Sequence, residues 1–164
     1  MESFENISIS GDQNLDNIIK SSAESRGYRL QAKADPADLS ETDNNRIFTD
    51  LAVDFNDLKS AAENDGVNIV LNSGYRDSID QTDIFMDRLR SVYRFRTGQG
   101  FTTEGAASRA DIINEVLENT APPGYSKHHT GLALDLNCAN STANTAFVNR
   151  ICFSWLSEND YLYV

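Results

Sequence analysis

The chain has 164 residues, 40% apolar and 24% charged, with a formal net charge of −11. That is the size and make-up of one globular domain with its own core. The acidic balance argues against nucleic acid or an anionic membrane surface as the main partner, since both need a cationic footprint, though it leaves room for a local basic pocket, and no apolar run approaches the roughly 18 residues of a membrane span.

Residues 1–44 read as a polar N-terminal segment, partly irregular. The opening MESFENISISGDQ has neither a basic n-region nor an apolar h-region, so no secretory signal is visible. DPADLSETDNN, residues 35–45, is rich in turn formers and reads as a loop. Ile47, Leu51, Phe55, Leu58 and Ala62 then fall at steps of four, four, three and four, the stripe of a helix that Gly66 ends. VNIVLN (67–72) is a short β-branched strand, and SGYRDS (73–78) is the loop leaving it. Asp77 or Ser78 caps a second helix through Ile79, Phe85, Met86, Leu89 and Tyr93.

RTGQGFTTEG is a glycine-rich connection to a third helix through Ala110, Ile113, Val116 and Leu117, which cannot continue into Pro122 and Pro123. GLALDLN (131–137) alternates as a strand, with Leu132, Leu134 and Leu136 on one face and Ala133, Asp135 and Asn137 on the other. A last helix carries Phe147, Val148, Ile151, Trp155 and Leu156, and the closing YLYV resembles the start of another strand. Helices and strands mix without a βαβ repeat, so the class is α+β, a small antiparallel sheet flanked by helices. Cys138 and Cys152 form no disulfide framework; they are two buried free thiols, or a single disulfide if the protein works outside the cell.

Chemistry concentrates in SKHHTGLALD, residues 126–135, which holds both histidines of the chain. A carboxylate mid-strand between leucines is costly unless paired or metal-bound. His128 lies just before that strand, across a glycine turn at Gly131, so His128 and Asp135 offer the nitrogen and oxygen ligands that zinc accepts. From spacing alone, a surface histidine pair and an aspartate bonded to a backbone amide fit as well. Arg76, at a strand end, suits bidentate capture of a carboxylate, or an ordinary salt bridge. Gln81, on the first turns of the next helix, donates to a substrate carbonyl or faces water.

Together these stretches resemble the VanY-type D-alanyl-D-alanine carboxypeptidases, zinc peptidases that trim peptidoglycan stem peptides. SGYRDSIDQ is similar to S-G-Y-R-S-x-x-x-Q with Asp77 in the fifth place, SKHHTGLALD matches S-x-H-x-x-G-x-A-x-D in full, and FSWLSENDYLYV is like W-L-x-x-N-A-x-x-Y-G-F with changes. The likeness covers residues 45–164 and implies a Hedgehog/DD-peptidase-like fold there. It implies zinc bound by His128 and Asp135, the substrate carboxylate held by Arg76, and the peptide near the scissile amide bonded by Ser126 and Gln81. His129 falls at a variable position and is expected beside the ligands or facing solvent.

The family also has an E-x-W-H or D-x-W-H element that supplies a general base and a third ligand. This sequence has neither, so no catalytic base is assigned and the 45–164 region is expected to be C-terminally incomplete. The expected function is zinc-dependent hydrolysis of peptidoglycan stem peptides by metal-activated water, in the bacterial envelope or outside the cell. A missing C-terminal segment or a second chain would complete the site. The alternative is a non-catalytic cell-wall-peptide binding module on the same fold.

Overall fold

The computed structural model describes residues 4–138 and 145–159, which contain six α-helices and four strands. The YLYV expectation lies outside the described residues. The chain divides into two compact units: one from the stretches up to Lys33 and Arg76–His129, the other from Ala34–Tyr75 and from Thr130 onward.

The first unit is helical. Its core gathers Leu15, Ile19 and Ala23 of α1 (Gln13–Ser25), Phe85, Met86 and Leu89 of α3 (Ser78–Thr97), and Ile113, Val116 and Leu117 of α5 (Ala110–Leu117). Removing such side chains from water contributes about 1.5–3 kcal/mol each. Helix α1 was not foreseen in the polar N-terminal segment, although Leu15, Ile18, Ile19 and Ala23 fall at helical spacing behind an Asp12 cap. Asp77 caps α3 as expected, its carboxylate accepting from Ile79 and Asp80 N–H, and Gly98 ends the helix with φ 68°. Ile79, expected on the buried stripe, is 70% exposed. A short α4 (Thr103–Ala107) interrupts the expected glycine-rich connection.

One polar group braces this unit. The buried Asp16 carboxylate accepts from Ile9 N–H at 3.0 Å, Ser10 N–H at 2.7 Å and the Ser8 hydroxyl at 3.1 Å, besides the Ser10 hydroxyl. Burial opposes its ionisation, but the hydrogen bonds from Ser10, Ile9 and Ser8 outweigh that and hold its pKa below the ordinary value. A depressed folded pKa gives stability that is complete above the unfolded value of about 4 and is lost as pH falls through the folded value. Asp16→Ala, which leaves two amides without their acceptor, is expected to cost about 2–4 kcal/mol at pH 7 and less at pH 3. Urea denaturation at both pH values checks this; an equal loss at both would contradict it.

The second unit carries the strands. Residues 35–45, expected as a loop, hold most of a hairpin: β1 (Leu39–Thr42) pairs antiparallel with β2 (Asn45–Phe48). Asp43 and Asn44 both take positive φ, 49° and 60°, the pair of left-handed residues that suits a two-residue hairpin turn. Ile47 therefore belongs to β2 rather than to the following helix. It still joins Phe55 and Ala62 of α2 (Thr49–Asn64) in the core. Gly66, φ 78°, follows the helix end as expected. Strand β3 (Ile69–Ser73) pairs antiparallel with β4 (Asp135–Cys138), and α6 (Thr145–Asn159) packs on that sheet through Cys152, Trp155 and Leu156.

Cys138 and Cys152 are joined as a disulfide, so the free-thiol reading is corrected. Strand β4 and helix α6 share one core cluster, which brings the two sulfurs together. Closing a loop of this length stabilises by about 3 kcal/mol in the chain-entropy account.

Candidate functional site

The motif SGYRDSIDQ begins in the second unit and continues into the first at Arg76, while SKHHTGLALD begins in the first and ends in the second. Each unit brings the two motifs together by itself. In the second unit, Ser73 stands opposite Asp135 in the β3–β4 register, beside an irregularity between Leu71 and Ser73. In the first, Arg76 N–H donates to the His128 carbonyl at 3.2 Å.

The glycines explain the turn geometry. Gly74 has no room for a side chain: a Cβ there would lie 2.5 Å from the Arg46 carbonyl oxygen and 2.5 Å from Ile47 Cγ2. That closeness comes from Tyr75 N–H, which donates to the same carbonyl at 2.6 Å and draws the loop onto β2. Gly131 takes φ +73°, and its carbonyl accepts from Phe48 N–H at 2.9 Å, which sets the entry of the chain into β4.

Asp135 differs from expectation. It opens β4 instead of lying in its middle, and it is exposed instead of buried between leucines. Leu132 precedes the strand and is 60% exposed. The alternation of GLALDLN is therefore realised only from Asp135 on, because the β3–β4 register begins at Ser73 and offers the earlier residues no partner. The desolvation argument for a cation at Asp135 loses its force.

His129, expected beside the ligands or facing solvent, is fully buried and bonded on both ring nitrogens. Gly124 N–H donates to Nε2 at 2.9 Å. An amide can only donate, so Nε2 is the bare nitrogen, and Nδ1 carries the proton it gives to the Arg76 carbonyl at 2.7 Å. Burial lowers the His129 pKa, against the raising effect of the Arg76 carbonyl, so the ring stays neutral at pH 7. Its spacing beside His128 could not show this, since its two partners lie far off or in a turn.

Ser126 is buried, and His128 is half-buried in a 3-10 turn, Lys127–Thr130. Gln81 is buried at the start of α3, where Nε2 donates to the Ala121 carbonyl at 2.7 Å. Its Oε1 has no hydrogen-bond partner among the described residues. Its Nε2 is thus already engaged, and the unmatched group is the acceptor. Leaving such an atom unmatched in a buried place costs about 1–3 kcal/mol. A groove of about 270 Å³ in the second unit is lined by Ile69, Leu136, Cys138, Cys152, Phe153 and Leu156 with Asn137, none of them an expected site residue.

The donor set decides how far these residues suit a metal. A catalytic zinc takes three protein ligands and a water. Of the two histidines, His129 has both nitrogens engaged by backbone groups, and both cysteines are joined to each other. His128 and Asp135 leave the set one short, and no group of three His, Cys, Asp or Glu gathers among the described residues. Taken alone, these residues do not make a catalytic zinc centre.

Residues 44–163 match the model of the family described as VanY, D-alanyl-D-alanine carboxypeptidase. A D-alanyl-D-alanine carboxypeptidase of Enterococcus faecalis is 35% identical over 109 residues, covering 65% of this chain and 35% of that protein. Among solved structures, VanYB in complex with D-alanine-D-alanine superposes with a TM-score of 0.59 at 27% identity, over 81% of this chain and 65% of the other. A vancomycin-resistance D,D-pentapeptidase VanY variant in complex with Zn(II) gives 0.56 at 28%, over 83% and 65%. The LdcB LD-carboxypeptidase, at 24% identity and a TM-score of 0.54 over 79% and 57%, shares the fold. The chain spans about a third of the length of the curated relative and under two thirds of each of these structures.

Proposed function

The chain belongs to the VanY D-alanyl-D-alanine carboxypeptidase family, and from that premise we propose that it grips the D-alanyl-D-alanine end of a peptidoglycan stem peptide and lends two ligands to the zinc that serves its hydrolysis. Arg76 takes the terminal carboxylate. Ser126 and Gln81 bond the peptide near the scissile amide, Gln81 by accepting an N–H at Oε1. His128 and Asp135 are the ligands, and a third ligand and a general base come from a segment or a chain outside these residues. The peptidase-like region is 45–164, and the polar N-terminal segment 1–44 adds α1 and β1 to the units that carry it. The observation that carries this reading is the double meeting of the two motifs, Ser73 opposite Asp135 and Arg76 N–H on the His128 carbonyl.

The site acts in the cell envelope or outside the cell. The Cys138–Cys152 disulfide supports this, since such bonds persist in oxidising compartments. Among the described residues, no helix is long and apolar enough to cross a membrane.

A second reading, a binding module that grips the peptide without cutting it, is favoured by the engagement of both His129 nitrogens, which removes one of only two imidazoles from metal chemistry. Two measurements on the chain separate the readings: zinc uptake against a chromophoric chelator, and calorimetric titration of an acylated D-alanyl-D-alanine peptide. The enzyme reading expects weak zinc uptake that His128→Ala lowers by about tenfold or more, with peptide binding unchanged. Peptide binding with no zinc uptake leaves the binding module; folded protein that binds no peptide overturns both.

A further inference from the structure

We propose that His129 is a positioning residue for Arg76: its ring holds the Arg76 backbone where the guanidinium meets the terminal carboxylate of the ligand. This rests on Arg76 being the carboxylate anchor.

Both polar groups of the Arg76 backbone are engaged, the N–H by the His128 carbonyl at 3.2 Å and the carbonyl by His129 Nδ1 at 2.7 Å. The next residue, Asp77, is held in turn by the amides of Ile79 and Asp80 at 2.8 and 2.9 Å. Arg76 therefore sits between a two-point clamp and a helix cap, which leaves its Cα–Cβ direction little freedom. The clamp has its own anchor. Gly124 N–H holds Nε2, and the Phe4 ring lies over the imidazole with centroids 4.6 Å apart.

A Cβ at Gly124 would come within 3.0 Å of the Phe4 Cβ, and its φ is +86°, so the turn that supplies the amide is equally committed. Imidazole suits the task because one rigid ring presents a donor and an acceptor on opposite edges. An apolar side chain would strand both backbone groups in a buried place. The same turn leads through Tyr125 to Ser126, so one ring ties together the approaches to two of the proposed ligand-binding residues.

The test titrates N-acetylated D-alanyl-D-alanine, and its C-terminal amide, into the chain and into His129→Gln, Arg76→Ala and the double variant, with thermal melts as the fold control. His129→Gln keeps a polar side chain for the fold, but its amide carries donor and acceptor on one flexible end and cannot hold the Arg76 carbonyl and the Gly124 N–H on opposite sides as the ring does. It is expected to weaken binding of the acid by about five- to thirtyfold, to leave the amide unchanged, and to add nothing in the Arg76→Ala background. Equal losses for acid and amide, or a full additional loss on top of Arg76→Ala, overturn the positioning role.

A normal Arg76→Ala loss beside a silent His129→Gln overturns it while the anchor stands. An unchanged acid-to-amide ratio in Arg76→Ala overturns the anchor and the positioning role with it. In the unmodified protein, the His129 Nδ1–H resonance is expected to shift on saturation with the acid and not with the amide. The absence of that shift refutes the role without any variant having to fold.

Discussion

Arg76→Ala is expected to weaken binding of an acylated D-alanyl-D-alanine peptide by about ten- to a hundredfold, with binding of the C-terminal amide unchanged within about twofold. Hydrogen bonds to a charged group are worth more than neutral ones, and a guanidinium matches a carboxylate with two parallel N–H groups. Arg76 is only half-buried, so solvent and salt screen the pair and keep the effect at the lower end of that range in concentrated buffer. Arg76→Lys retains the charge without the fork and is expected to fall between the parent and the alanine variant. Calorimetric titration of the two ligands, at low and at high salt, reads all of this at once. Parallel loss of acid and amide would mean that the variant has damaged the loop rather than removed an anchor.

Gly74→Ala is expected to cost about 2–4 kcal/mol, a large effect for one methyl group. The added carbon would lie 2.5 Å from a backbone oxygen and a methyl group, both belonging to β2. Neither retreats cheaply. The oxygen is held by Tyr75 N–H, and β2 is paired along its length with β1. The loop has to move off β2 instead, and Ser73, whose register partner is Asp135, moves with it. Gly100 serves as the control, since nothing lies within 4 Å of a Cβ there, and Gly100→Ala is expected to stay within about 0.5 kcal/mol. Denaturant midpoints for the two variants make the comparison; a Gly74→Ala protein as stable as Gly100→Ala would show that the loop does not lie against β2 in solution.

The proposed site was legible in the sequence as types and spacings. SKHHTGLALD and SGYRDSIDQ named His128, Asp135, Arg76, Ser126 and Gln81 before any fold was known, and β3, α3 and α5 followed from apolar periodicity, from the stops at Gly66 and Pro122 and from the glycine-rich stretch between α3 and α5. The hairpin was not legible, because Leu39–Phe48 carries polar residues on strands whose pairing depends on two left-handed turn residues rather than on an apolar pattern. Helix α1 was legible but overlooked: Leu15, Ile19 and Ala23 fall at steps of four behind the capping Asp12, a helical stripe that the polar residues around it obscured.

The sequence by itself determined the family, the class of fold and the set of chemical groups, because those depend on which residue types recur at set intervals along the chain. Tertiary structure alone decided what each group is free to do. It buried His129 and engaged both of its nitrogens, buried Gln81 with its Nε2 on the Ala121 carbonyl, brought Asp135 to the exposed start of a strand, and joined Cys138 to Cys152. The physical reason is that hydrogen bonding and desolvation depend on neighbours distant along the chain: Arg76 lies 53 residues from the ring that holds its carbonyl, and Ala121 lies 40 from the amide it receives.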